Sequence, residues 1–394
     1  MTMLSRRLFL KSGALIGCSA AAHPLLSSIA FATAPGENRL VVIILRGAMD
    51  GLDAFQPYGD PALRTLRKTL SVGPEGGAHD LDGFFALHPS LSPLMPLWQA
   101  GELAFAPAVS TPYRDKRSHF DGQDVLEAGT GTDVEAMQQR DGWLNRLLQA
   151  MPGAQSETAY SVGLDDMRIL DGAAPAKSWA PQTRFRLSAQ GQRLLTHVWH
   201  DDPLFRPAGE QAVEIINEGL AAVETEAGPT RDAQALARFA ADRLNGETRI
   251  ATFSISGWDS HARQPRVIDR ALQRLGAAIL TLRGDLGANW SRTTVLAMTE
   301  FGRTVRENGT GGTDHGTGGA LLMAGGNIRG RRAFGGWPGL GESELYAGRD
   351  LMPLRDIRAY AAWSLRDLFG IAPDVLERSV FPGLDMGDNP RILA

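Results

Sequence analysis

The sequence predicts an α/β fold with a mostly parallel central sheet. Strand-like apolar runs alternate with helical segments along the chain, which is the pattern of parallel strands joined by crossover helices. The first run, Leu40-Val41-Val42-Ile43-Ile44-Leu45, is apolar without alternation, as in a strand buried on both faces of a sheet. Four such runs end in loops that carry Asp, Glu, Ser or His, where open α/β sheets gather their ligands.

That first strand runs into the turn-rich Arg46-Gly47-Ala48-Met49-Asp50-Gly51. Residues 91–100 read as a helix and 102–110 as the second strand. Residues 118–127 form a helix with Ser118 as its N-cap. The helix at 141–151 sets Trp143, Leu144, Leu147 and Leu148 on one face. The stretch 154–207 is less regular and holds scattered Trp and Pro. Helices follow at 210–226 and 230–245. The strand at 249–255 then ends in Gly257-Trp258-Asp259-Ser260-His261. A long helix spans Gln264–Leu286. The strand 293–298 leads into Thr299-Glu300-Phe301-Gly302-Arg303. A Gly-rich loop holds Asp314-His315-Gly316 ahead of a strand at 320–324, and a helix at 354–369 closes the fold. There is neither an internal repeat nor a low-complexity linker, so residues 33–394 read as one domain with insertions.

Charge and composition narrow the function. Lys and Arg total 40 and Asp and Glu 44, a net charge of −4, which argues against nucleic acid as a partner. With 43% hydrophobic and 21% charged residues in 394, the chain has the balance of a globular protein. The single cysteine allows no intramolecular disulfide. Ser5-Arg6-Arg7-Leu8-Phe9-Leu10-Lys11, a weakly apolar run and Ala30-Phe31-Ala32 look like a twin-arginine export signal over residues 1–32, cleaved after Ala32. The export machinery is then a partner, and the mature chain is periplasmic or extracellular, with no transmembrane anchor. Read differently, Leu15-Ile16-Gly17-Cys18 is a lipoprotein box that would put a lipid anchor on Cys18. Twin-arginine export carries folded proteins, often with a cofactor loaded, which points toward a bound metal or cofactor.

Asp50, Asp259, His261 and Glu300 follow separate strands, and Asp314 and His315 precede another, so the sheet brings them to one edge. Carboxylates and imidazoles gathered there need a cation, and a divalent metal is the natural one. Taken singly, each of these residues reads more readily as a helix cap or a strand end. Asp259 and His261 lie two apart and share a face of extended chain. Ser118 opens a helix, where free N–H groups favour an anion, and Arg114, Lys116 and Arg117 crowd the same loop. His119 fits equally as a ligand, a partner of a ligand, or a packed ring. Arg303 suits an anion clamp or a salt bridge to Glu300 or Glu307.

The segments LRGAMDGL, RSHFDGQD, GWDSHARQ, TEFGRT and TDHGTGGALLMAGG resemble the bacterial family called domain of unknown function 1501, over nearly the whole mature chain. That family is in turn similar to the alkaline-phosphatase-like superfamily of phosphatases, sulfatases and cofactor-independent phosphoglycerate mutases. The resemblance implies a three-layer sandwich with a two-metal site at the strand ends. It also implies that Asp50, Asp259, His261, Glu300, His315 and Asp314 are candidate metal ligands, with Ser118 the nucleophile and Arg117 or Arg303 neutralising substrate charge. One or two ions of Zn, Mn, Mg or Ca would suit this set. Two departures stand out. Phe301 occupies the place of a metal-binding His, and Asp259 and His261 are closer together than the usual pair. The implied function is an exported metal-dependent hydrolase of small anionic phosphate or sulfate esters. Its alternative is a non-catalytic binding or assembly protein on a hydrolase-like scaffold with a degenerate metal site.

Overall fold

The computed structural model describes residues 36–70, 72–114, 116–131, 141–165, 167–180 and 230–394. The signal segment 1–32 with Cys18, and the helix expected at 210–226, lie outside the described residues. In chain order the strands are β1 (Arg39–Arg46), β2 (Phe55–Gln56), β3 (His79–Asp80), β4 (Ala86–Leu87), β5 (Leu103–Ser110), β6 (Ala159–Val162), β7 (Lys177–Trp179), β8 (Ile250–Ser256), β9 (Thr293–Thr299), β10 (Gly319–Ala324) and β11 (Arg355–Asp356). The helices that shape the site and its support are α1 (Gly51–Ala54), α2 (Met95–Ala100), α3 (His119–Ala128), α4 (Trp143–Ala150), α5 (Arg231–Leu244), α6 (Gln264–Leu286) and α7 (Ile357–Phe369).

The main sheet is eight-stranded, in the order β11-β5-β10-β9-β1-β8-β6-β7. Only β10 is antiparallel to its neighbours. β1 lies at the centre and shows why its run carries no polar face. Val41, Ile43 and Leu45 enter one core, and Leu40, Val42 and Ile44 enter the other. The first core is closed by α2, α5 and α6, and the second by α4 and α7, which gives the expected three-layer α/β arrangement.

Differences from the sequence expectation have local causes. The helix expected at 91–100 begins as a 3₁₀ turn, Pro89–Leu94, with Pro93 inside it, before α2 starts. The helix expected at 354–369 starts at Ile357, where the Asp356 side chain accepts from Arg358 N as N-cap, so Leu354 stays outside it and exposed. β6 and β7 fall in the stretch that reads as irregular; they are short and only partly buried. No helix among the described residues is long and apolar enough to cross a membrane.

This topology decides where chemistry can collect. The C-terminal ends of β1, β5, β8 and β9 share one edge of the sheet. Because β10 runs the other way, the loop before it, with His315, reaches the same edge.

Candidate metal centre

Glu300, just past β9, is fully buried and turned toward the backbone after β1. Its Oε1 accepts from Gly47 N at 3.0 Å, Ala48 N at 3.1 Å, His119 Nδ1 at 2.8 Å and Gln123 Nε2 at 3.3 Å. The close fit of this turn explains Gly47. Its φ is +120°, and a Cβ there would stand 2.7 Å from Asp259 N.

Three imidazoles meet beside it. A carboxylate or carbonyl only accepts, so the ring nitrogen facing one must carry the proton. His119 Nδ1 faces Glu300 Oε1, His261 Nδ1 lies 3.2 Å from Asp314 Oδ1, and His315 Nδ1 lies 2.9 Å from the Arg117 carbonyl. A neutral ring with its proton held on Nδ1 in this way presents a bare Nε2. The three Nε2 atoms converge: His261 Nε2 and His315 Nε2 are 2.9 Å apart, and His119 Nε2 is buried without a hydrogen-bond partner. Two bare lone pairs at that separation repel, so the contact needs either a proton on one Nε2, which makes it a hydrogen bond, or a metal ion bound by both rings.

Asp259 completes the group. Its Oδ1 is 3.4 Å from His261 Nε2 and 3.8 Å from His315 Nε2, and its Oδ2 is 3.6 Å from His119 Nε2. Ligand atoms of His119, Asp259 and His315 all lie within 4.8 Å of one another. Burial pushes the Asp259 carboxyl up, but the Arg303 hydrogen bond and charge, with His261 and His119, outweigh it and leave its pKa below the ordinary value. Burial, with the charges of His119 and Arg303, lowers His315 to about 4 although the Arg117 carbonyl favours its proton. His315 is therefore neutral near pH 7, the form that binds a metal.

The structure sorts the sequence candidates. Asp259, His261 and His315 come together as expected. Asp314 lies one step out, where it accepts from Asn308 and orients His261; the Asn308 bond first, then His261, holds its carboxyl low. Glu300 likewise orients His119. Asp50 does not reach the cluster. It caps α1 through Leu52 N and Asp53 N and pairs with the buried Arg67 at 2.7 Å, with Gln264 Nε2 on its other side.

Arg303 is not a free clamp: its guanidinium is wholly buried and donates to the carbonyls of Ala48, Gly47 and Thr313 and to Asp259 Oδ1 at 2.7 Å. Ser118 caps α3, with Asp121 N at 3.4 Å from its Oγ. Arg117 is exposed, and among the described residues its guanidinium makes no ion pair. Phe301, in place of a ligand, is a wall: its ring stacks on His119 at 5.2 Å and on Tyr113 at 6.0 Å. His119 is the member that sequence reasoning left open; its signal was its place directly after the cap of α3.

Residues 37–361 match the model of a family described as "Protein of unknown function (DUF1501)". No curated protein matches the sequence. Similar solved structures include the lipoteichoic acid synthase LtaP from Listeria monocytogenes, at 10% identity and TM-score 0.35, covering 69% of this chain and 58% of that one. The chain thus spans less than two thirds of the Listeria protein. The C-terminal periplasmic domain of EcEptC from Escherichia coli, in complex with Zn, is similar at 10% identity and TM-score 0.37, over 74% of each chain. A protein in the alkaline phosphatase superfamily from Vibrio parahaemolyticus is similar at 12% identity and TM-score 0.39, over 90% of this chain and 72% of that one. At such scores the chemistry of the site is read from its own side chains.

Proposed function

The chain belongs to the DUF1501 family, and from its site we propose that it is an exported hydrolase of phosphate or sulfate esters that works with one divalent ion held by His119, Asp259, His261 and His315. The observation that carries this reading is the convergence of three Nε2 atoms on one carboxylate, with His119 Nε2 buried and unpartnered. A tetrahedral ion with bonds of about 2.0–2.1 Å separates its ligand atoms by about 3.3–3.4 Å. The contacts of Asp259 with the rings, at 3.4 and 3.8 Å through Oδ1 and 3.6 Å through Oδ2, are near that spacing, and the 2.9 Å between His261 and His315 is shorter than it. Three imidazoles with one carboxylate suit Zn²⁺ or Mn²⁺ better than Mg²⁺ or Ca²⁺, which prefer oxygen. Asp50 and Glu300 are already satisfied by Arg67 and by backbone N–H groups, and Phe301 offers no donor, so the reading takes one ion rather than two.

When bound, such an ion would polarise the ester and stabilise negative charge as the bond breaks. Around it the chain positions its own groups. Ser118 lies between Arg117, whose carbonyl holds His315, and His119. Its Oγ is the nucleophile, placed at the N-terminus of α3 where free N–H groups favour an anion. The Arg117 guanidinium neutralises substrate oxygens. Arg303 keeps Asp259 ionised and in place. The net reaction is ester plus water to alcohol plus phosphate or sulfate.

The test is release of 4-nitrophenol from its phosphate and sulfate esters by metal-loaded protein, with and without Ser118→Ala. The variant is expected to lose turnover while keeping its ion. Undiminished activity would remove Ser118 from this role, and no release by protein that holds its ion would count against hydrolysis.

A further inference from the structure

A second polar pocket opens beside the metal centre. It has a volume of 360 Å³ and is lined by Gly257, Arg263, Arg266, Arg270 and Arg274, with no carboxylate in its wall. The loop from Gly257 to Arg263 is shared: Gly257 and Arg263 line the pocket, and Asp259 and His261 belong to the metal centre. His261 and Arg263 are two residues apart, which limits their Cα separation to about 7 Å.

The arginines are arranged against their own repulsion. Arg266, Arg270 and Arg274 recur every four residues on one face of α6, a spacing at which like charges destabilise a helix. Among the described residues, no carboxylate forms an ion pair with Arg263, Arg266 or Arg270. Arg274 donates through Nη2 to the Ser256 carbonyl at 2.6 Å, while its Nε is buried without a partner. Burial holds the Arg274 pKa below its ordinary value; Asp232 opposes this and Arg270 adds to it. Guanidinium groups gathered in a pocket of ligand size make a receptor for a tetrahedral oxyanion, which they grip through paired N–H donors.

We propose that this pocket binds a second phosphate or sulfate group of the substrate, so that the ester processed at the metal centre carries at least two such groups. The identification of the ligand as substrate rests on the hydrolase reading above; the anion preference of the pocket stands independently of it.

The test is calorimetric titration of the metal-loaded, full-length protein at fixed salt. Fructose 1,6-bisphosphate is compared with fructose 6-phosphate, and sucrose octasulfate with glucose 6-sulfate, which separates the phosphate and sulfate cases. The multiply charged member of at least one pair is expected to bind tenfold or more tightly than its singly charged counterpart. Arg266→Gln/Arg270→Gln, at two exposed positions, should erase that preference and leave affinity for the singly charged member. Arg378→Gln, an exposed arginine near the C-terminus, should leave both unchanged. Equal affinities within both pairs, or a preference that survives the double variant in folded protein, would overturn the proposal. Turnover without the preference sinks the pocket alone, and the preference without turnover sinks the hydrolase reading alone.

Discussion

Replacing Glu300 by Gln separates an orienting carboxylate from a ligand. Glu300 Oε1 accepts from Gly47 N, Ala48 N, His119 Nδ1 and Gln123 Nε2. Gln keeps the shape and one carbonyl oxygen but loses the charge. Bonds to a charged acceptor are worth about 1.5–3 kcal/mol and neutral ones about 0.5–1.5, so the four weaken by about 1 kcal/mol each. The neutral amide is also cheaper to bury, which offsets part of that loss of stability. For the ion, the change reaches His119 through Nδ1. Less negative charge behind the ring lowers the basicity of Nε2, and loss of such outer partners costs about 10–100-fold in metal affinity, or about 1.4–2.7 kcal/mol. Competition titration of Zn²⁺ against a chromophoric chelator should show this weakening, with the same number of ions bound at saturation. An unchanged affinity would refute the orienting role. A lower ion count at saturation would make Glu300 a ligand and refute the site as drawn.

Other predictions test the rest of the frame. Asp50→Asn leaves the buried Arg67 guanidinium with a broken pair and should cost about 3–5 kcal/mol in urea denaturation, without changing the ion content of the folded protein; loss of the ion would return Asp50 to the ligand set. Glu127 is raised from 4.5 to about 7, because burial outweighs Arg46 and the Ile169 N–H. The folded protein therefore keeps this proton up to about pH 7, whereas the unfolded chain releases it near 4.5, so stability falls as pH rises between those values. The shift corresponds to about 3 kcal/mol, and Glu127→Gln should flatten this part of the denaturation profile. An identical slope in the variant would rule Glu127 out as its source.

The frame was legible in the sequence where one segment decides its own structure. The run of β1 needs two apolar faces covered, and α6 begins and ends where its pattern does. β2, β3, β4 and β7 were not legible, because two- and three-residue strands owe their existence to partners far along the chain. The site divides in the same way. Position after a strand for Asp259, His261 and Glu300, and ahead of one for His315, was enough to bring the four to one edge. It did not say which way each would turn. Asp50 turns to Arg67, Glu300 to the N–H groups after β1, and Arg303 to carbonyls that became neighbours only on folding. His119 was ambiguous for the same reason: its role is fixed by Glu300, which lies beyond β9. Phe301 looks like a missing ligand in the sequence and is a packed ring against His119 in the fold.

The most direct test of the single-ion centre is elemental analysis of the protein purified without chelator from its native host, beside His119→Ala and His315→Ala. The account predicts about one transition-metal ion per chain, absent from both variants although each remains folded. Two ions per chain, or one ion that both variants retain, would contradict it.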